Sequence, residues 1–436
     1  MPTLEQDKNN LIVKKTIVIT SLNAISRGIG FIIPFFIADW FGINSATDSF
    51  FFAYSLILLL ANIFSPVMET IVVPFIAEKR ARDEPIEGFM ARLIGLSGLG
   101  LFLITGASIL LLHFFLPVIT KFSEESLTLV FRILSESSPL VILTVWTSIL
   151  SGILNAYKIF SIPAISPAFR AAMTLLIIFL FKERLGVHSI ALGYLGGEFF
   201  RAFILIALIK KFKLFRFKLS LSLDNDFLNF LRISSYHMLS MATLVFIPVV
   251  NKTIATWLGT GNVSLLEYAE RLYYIPITLL SSGLFVAVLS YWSEDYYKAN
   301  DKSLINKNIS GAFKFIGIIS FIMTLIFYLF KDLLVDIVYG HSLMSREQIL
   351  SVKEILGFYL IGIIPYFLTQ LYVRAFLIKK KTKILFFTAL FMFAGTIAFD
   401  LILIRFMGVS GIALGSSLTA FLSFGILGFS FNKIRD

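Results

Sequence analysis

The chain has 436 residues, of which 57% are hydrophobic and only 15% charged, with a mean hydropathy of +0.87. A solvated surface needs more polar side chains than this, so a water-soluble domain is excluded and the chain is expected in a bilayer. The formal net charge of +11 is spread over short loops, which fits a topology signal and attraction to anionic lipid and not nucleic-acid binding; with no cysteine, disulfides and thiol chemistry are excluded.

Apolar runs of about 20 residues, the length that crosses roughly 30 Å of hydrocarbon as a helix, recur from end to end. Twelve are expected, at 16–40, 49–77, 90–116, 127–156, 161–181, 188–209, 227–258, 264–292, 310–335, 348–378, 383–405 and 409–431. Their length and lack of period-two alternation predict helices and not barrel strands, because each span must satisfy its own backbone hydrogen bonds in lipid. An even number of spans puts both termini on one side. The loops on that side, with the termini, hold 22 Lys and Arg against 6 on the other (Lys121, Lys182, Arg184, Lys331, Arg346, Arg405), so both termini are expected in the cytoplasm. The opening MPTLEQDKNNLIVKK is basic but leads into a run longer than a signal-peptide core, without a small-residue cleavage site, and the first span is expected to stay.

Two local matches reveal a duplication. IADWFG at 37–42 pairs with IATWLG at 254–259, and LGVHSIALG at 185–193 pairs with MGVSGIALG at 407–415, the two offsets being nearly equal and close to half the chain. Six spans per half give both halves one orientation. The expected fold is therefore all-α, with two parallel six-helix repeats around a central cavity: an N-terminal lobe over 1–209, a basic cytoplasmic linker over 210–226 (KKFKLFRFK, then LSLSLDND), and a C-terminal lobe over 227–436.

A charge inside hydrocarbon costs a few kcal/mol or more, so intramembrane charges face a bundle interior or a wet cavity. Arg27 (SRGIGF), Lys252 and Arg271 (YAERLYYIP) lie within the first, seventh and eighth spans, and Glu69 within the second. The repeat makes the first span equivalent to the seventh and the second to the eighth, so these four residues are expected to line one cavity. In GNVSLLEYAERLYYIPITLL, Ser264 and Glu267 have the spacing of a capping box. Glu267, Glu270, Arg271 and Tyr274 form one polar stripe on a helix face. Two readings of Arg271 stand: a ligand for substrate, held by Glu270, or a packing ion pair with Glu267 or Glu270. Pro34, Pro66, Pro248 and Pro276 fall in the same four spans, where kinks are expected. No GxxxxGK[ST] occurs, so the chain is not expected to hydrolyse ATP. Neither a metal-ligand motif nor a nucleophile–base–acid pattern is present, so it is read as no enzyme and as needing no cofactor.

SRGIGF followed by DSFFFAYSL, then INSATDSFFFAYSL with VVPFIAEKR, SGILNAYKIFSIPAISPAF and GNVSLLEYAERLYYIP, resemble in the same order segments of the MurJ (MviN) family of lipid II flippases, within the multidrug/oligosaccharidyl-lipid/polysaccharide exporter superfamily. The resemblance spans most of the chain and rests most firmly on ILNAYKIFSIPA and YAERLYYIP. It places the family's first-span cavity arginine on Arg27, its outer-loop aspartate on Asp48 and its eighth-span arginine on Arg271. Where the family has a second first-span arginine this chain has Ile33; the double arginine of the second span is Leu60–Ala61, and an acidic cavity residue there is Ser65, with Glu69 one turn on as its stand-in.

The resemblance implies a multi-pass protein of the bacterial cytoplasmic (inner) membrane, working as a monomer. It would move a polyprenyl-pyrophosphate-linked saccharide, lipid II or a polysaccharide repeat unit, from the inner to the outer leaflet by alternating access. Twelve spans, against the two further C-terminal spans of the lipid II flippases, leave both substrates open. The implied partners are that lipid-linked saccharide and membrane lipid, with no nucleic acid; no motif specifies a coupling ion, H+ or Na+. Two alternatives stand beside it: a multidrug or cation antiporter of the same superfamily, which needs an acidic cavity where this one is basic, and a non-transporting scaffold of a polysaccharide assembly complex, which moves no lipid.

Overall fold

The computed structural model describes residues 22, 26 and 28–434, apart from 217, 299–301 and 380; side chains at 69–71, 81, 279, 282–310, 434 and several positions between 226 and 244 lie outside the description. The described residues form helices and no strand. They are α1 (Gly28–Phe41), α2 (Ser45–Ala81), α3 (Glu87–Ile119), α4 (Glu124–Ser137), α5 (Pro139–Ala156), α6 (Ser161–Leu185), α7 (His188–Lys211), α8 (Asn225–Val245), α9 (Ile247–Ala255), α10 (Asn262–Lys298), α11 (Lys302–Leu329), α12 (Lys331–Tyr339), α13 (Arg346–Ile361), α14 (Ile363–Ile378), α15 (Thr382–Met407) and α16 (Val409–Ile434). Among the described residues nine helical stretches are long and apolar enough to cross a membrane. The other three expected spans, the first, seventh and eighth, run partly over residues or side chains outside the description. Apolar side chains such as Phe102, Phe114 and Val118 on α3 are exposed, as a lipid-facing helix requires.

Four expected spans are each two helices, the ninth divided at Phe330 between α11 and α12. The fourth breaks where Pro139 opens α5, a position at which its missing N–H is no loss. The tenth breaks at Gly362, where an added Cβ would come within 2.9 Å of the Ser417 backbone, so only glycine lets α16 approach so closely. The seventh breaks at Phe246, just before Pro248. Helix continues through Pro34, Pro66 and Pro276, so of the four prolines singled out Pro248 alone coincides with a break.

Packing gives two compact units, one of residues up to Ile37 with Ser49–Val245, the other of Ala38–Asp48 with Phe246–Asp436. Duplication and packing therefore divide the chain at different places. In the first unit Phe230 of α8 meets Phe75 of α2 and Phe89 of α3 edge to face at 5.3 and 5.6 Å, and Arg92 of α3 pairs with Asp224, just ahead of α8.

The duplication can be followed through the backbone. Gly186 after α6 (φ 52°, ψ −136°) and Gly408 after α15 (φ 55°, ψ −138°), which align in the LGVHSIALG and MGVSGIALG match, end their helices in one conformation that disfavours any side chain. At the same offset, Ser123 caps α4 with φ −64° and ψ 160°, and Ser345 caps α13 with φ −68° and ψ 159°. Gly42 and Gly259, which close the IADWFG and IATWLG match, both have positive φ.

Candidate functional site

Lys252, near the end of α9, and Glu267 and Arg271, one turn apart on α10, come together in the second unit. Lys252 Nζ donates to Glu267 Oε2 at 2.5 Å, and Arg271 Nε donates to Glu267 Oε1 at 2.6 Å with a further contact from its terminal nitrogen. The Lys252 and Glu267 side chains are 7% and 2% exposed, whereas Arg271 is 26% exposed. Two cations thus share one buried carboxylate, and Arg271 is the more exposed of the two. Burying these charges is tolerable only because they are paired. Glu270 lies beside this group, within electrostatic reach of Glu267, Lys252 and Arg271, and its carboxylate is within hydrogen-bonding range of Tyr274, one turn on.

Asp48, in the first turn of α2, is buried at 1% exposure and receives the start of α10. Its Oδ2 accepts from the Gly261 N–H at 2.5 Å, and its Oδ1 accepts from the Ser264 N–H at 2.8 Å and the Ser264 hydroxyl at 2.6 Å. A carboxylate at a helix N-terminus satisfies backbone donors that lack intrahelical partners and opposes the positive end of the helix dipole. This corrects the expectation that Ser264 and Glu267 form a capping box: the cap is Asp48, far upstream in the chain, and Glu267 is drawn into the ion pairs. Tyr268 on the next turn donates its hydroxyl to the Gly42 carbonyl at 3.1 Å, and Tyr339 donates to the Tyr268 carbonyl at 3.0 Å.

Of the residues predicted from sequence, Lys252 and Arg271 are joined through Glu267 with Glu270 within electrostatic reach of all three, while Asp48 makes separate contacts at the start of α10. Arg27 and the side chain of Glu69 lie outside the described residues.

Two buried polar clusters escaped the sequence reading. In the first unit Glu198 of α7, with no exposure, accepts from Arg170 of α6 at 3.3 Å, from Arg201 at 3.1 Å, and from the Thr147 hydroxyl of α5. Arg201 also donates to the hydroxyls of Ser166 and Thr147. The i,i+3 spacing of Glu198 and Arg201 inside an apolar span was the available signal. In the second unit Asp400 of α15 is fully buried; with its amide oriented to satisfy its neighbours, Asn251 of α9 donates to Asp400 Oδ2 at 3.2 Å and accepts from the Ser416 hydroxyl at 3.2 Å. Asp400 is the only acid in its span, and that solitude was its signal.

An all-helical bundle with intramembrane ion pairs and a duplicated backbone defines a multi-pass transporter fold. The inward-facing structure of a multidrug resistance MATE family transporter of the MOP superfamily superposes with a TM-score of 0.74 at 15% identity, over 95% of this chain and 94% of that one. A structure of lipid II flippase MurJ in an inward closed conformation superposes with a TM-score of 0.81 at 23% identity, over 95% of this chain and 87% of that one. Residues 37–434 match the profile of the family described as lipid II flippase MurJ, and the chain belongs to that family. Relatives named probable lipid II flippase MurJ include those of Buchnera aphidicola subsp. Baizongia pistaciae, 23% identical over 95% of this chain and 82% of theirs, and of Thermotoga maritima, 24% identical over 97% of this chain and 85% of theirs. The family is one of transporters of lipid-linked precursors.

Proposed function

We propose that the chain carries a polyprenyl-pyrophosphate-linked saccharide, lipid II or a related polysaccharide repeat unit, from the inner to the outer leaflet of a bacterial cytoplasmic membrane by alternating access. Its family supports this, since the relatives are named for lipid II. In this reading six-span lobes over 1–209 and 227–436, joined by the linker 210–226, work as parallel repeats around a central cavity, with both termini cytoplasmic and the protein monomeric. Arg27, Lys252 and Arg271 supply the positive charge that a pyrophosphate needs in a medium of low dielectric, and arginine's fork suits phosphate oxygens. Glu69 and Glu270 balance and orient those cations, and Asp48 fixes the start of the helix that carries two of the acids and Arg271. An inside-negative potential biases the anion outward by about 2.3 kcal/mol per charge per 100 mV.

The observation that carries the proposal is Arg271 itself: a guanidinium held in place by a buried carboxylate, with a quarter of its side chain exposed. The test is translocation of a lipid-linked glycan in reconstituted vesicles, normalised to folded protein. Arg271→Ala is expected to abolish transport per folded molecule, and Arg271→Lys to restore it only in part, because a point charge lacks the bidentate fork. An unchanged normalised rate in Arg271→Ala overturns the substrate role and leaves the ion pair as packing.

A further inference from the structure

The first unit holds a cavity of about 580 Å3 that the transport reading does not use. Its walls are Phe64 and Met68 of α2, the α3 face from Leu93 to Ile104, Val145 of α5, and the segment from Leu223 into α8 as far as Met238. The lining is apolar but for Ser97, Ser234 and Arg232, and Arg232 is exposed. How the cavity forms can be read from two glycines. At Gly95 the chain entering α8 lies against α3: the Ser220 N–H donates to the Ala91 carbonyl at 3.0 Å, and a Cβ on Gly95 would sit 2.5 Å from the Ser220 carbonyl oxygen. At Gly100, which lines the cavity, a Cβ would meet nothing within 4 Å. The wall is pinned at one glycine and the space is left open at the other.

Three features together define an occupant. From Leu93 to Ile104 the cavity follows α3 for about 16 Å at 1.5 Å per residue, close to one leaflet's half of the roughly 30 Å hydrocarbon core. The lining offers a ligand almost nothing but apolar surface. The segment leading into the cavity wall carries Lys210, Lys211, Lys213, Arg216 and Lys218 and meets α3 at Ala91 and Gly95 through Ser220, and Arg232 lines the cavity itself, which gives basic groups to attract an anionic headgroup. We infer that this cavity holds one acyl chain of an anionic phospholipid in the leaflet bordered by the basic linker, with its headgroup phosphate drawn to Arg232. The site belongs to one unit and is independent of the translocation proposed above.

The test uses full-length protein reconstituted in vesicles of phosphatidylglycerol and phosphatidylcholine, each supplied in turn with a photoactivatable diazirine in the acyl chain. Crosslinks are mapped by mass spectrometry. Wild type is expected to be labelled by phosphatidylglycerol on the α3 segment from Ser97 to Ile104. Gly100→Phe fills the cavity from a position where an added Cβ meets nothing within 4 Å, and is expected to reduce that labelling to background. Ser97→Phe is the second filling variant, and whichever variant keeps the wild-type unfolding temperature decides the matter. Arg232→Gln is expected to keep the tail labelled and to lower the preference for phosphatidylglycerol over phosphatidylcholine about fivefold, the effect of one basic group near a membrane surface. Equal labelling of wild type and a folded filling variant overturns the proposal. So does equal labelling by the two lipids in wild type, or displacement of both by added polyprenyl phosphate, which would assign the cavity to an isoprenoid tail. None of these outcomes reads transport, so the flippase assignment stands or falls separately.

Discussion

The helix pairs α6–α7 and α15–α16 occupy equivalent places in the two halves of the duplication, and in the register set by Gly186 and Gly408 their contacts can be compared one by one. In the first pair a Cβ on Gly193 would press on Ile178; in the second a Cβ on Gly415 would press on Asp400. Thr174 faces Gly197 in the first, and its counterpart Thr396 meets Thr419 hydroxyl to hydroxyl at 3.2 Å in the second. Thr147 accepts from Arg201 at 3.3 Å, and the equivalent Thr369 meets Ser423 at the same distance. Around this shared frame the charges have parted. Arg170, Glu198 and Arg201 correspond to Met392, Ala420 and Ser423, while the one carboxylate of the second frame, Asp400, stands where the first has Ile178. The helix ends are held by glycine in both halves and the hydroxyls of Thr147 and Thr174 recur as Thr369 and Thr396, while the close approach at Gly197 is replaced by Thr419. Charge can move between halves provided each buried group keeps a partner.

The largest effect is expected at the charge that one half has and the other lacks. Glu198→Ala leaves the half-buried Arg170 and Arg201 without their carboxylate and should cost about 3–5 kcal/mol, seen as a collapse of the unfolding temperature in detergent. Replacing Arg170 by Met, Glu198 by Ala and Arg201 by Ser together copies the second half and should return stability to near wild type, since an apolar replacement of a buried ion network is often neutral. If the triple replacement is as unstable as Glu198→Ala, the equivalence of the two frames fails.

The α9–α10 triad sharpens the point within one half. Glu267→Gln strips two cations of one partner and is expected to destabilise by about 3–5 kcal/mol, whereas Lys252→Met leaves Glu267 paired with Arg271 and should cost less than half as much. Comparing the two midpoints in one thermal series checks the order, and a greater loss in Lys252→Met would show that the lysine and not the arginine is the main partner.

A smaller effect is expected where the frames differ by size alone. Gly197→Ala drives a methyl to 2.6 Å from the Arg170 carbonyl oxygen and into the Thr174 hydroxyl, an overpacking expected to cost about 1–3 kcal/mol. At the equivalent position Thr419→Ala only removes a hydroxyl contact and should cost about 1 kcal/mol. The smallest difference lies at the matched caps. Ser345 forms a full capping box, its hydroxyl accepting from the Gln348 N–H at 3.2 Å while the Gln348 side chain accepts from the Ser345 N–H at 2.9 Å; Ser123 has only the first of these bonds. Ser345→Ala should therefore cost about 1 kcal/mol and Ser123→Ala somewhat less, measurable as ordered shifts in unfolding temperature.

The apolar runs determined the helices and the class of protein by themselves, because in hydrocarbon a span must satisfy its backbone within itself and leaves a local record of doing so. The duplication was equally legible, since it is a property of the string: the helix ends at Gly186 and Gly408 follow the offset of the match that contains them. Intramembrane charges such as Lys252 and Arg271 were visible as candidates for the same reason, being rare where they stand. Only the tertiary structure decided whom each charge meets. Glu267 had an available local partner in Ser264, yet it pairs with Lys252 on the preceding helix as well as with Arg271, while Ser264 turns to Asp48. Glu198 draws Arg170 from the neighbouring helix α6. A carboxylate takes whichever donors the packing brings within hydrogen-bonding reach in a medium that leaves it no water, and distance along the chain does not enter that choice.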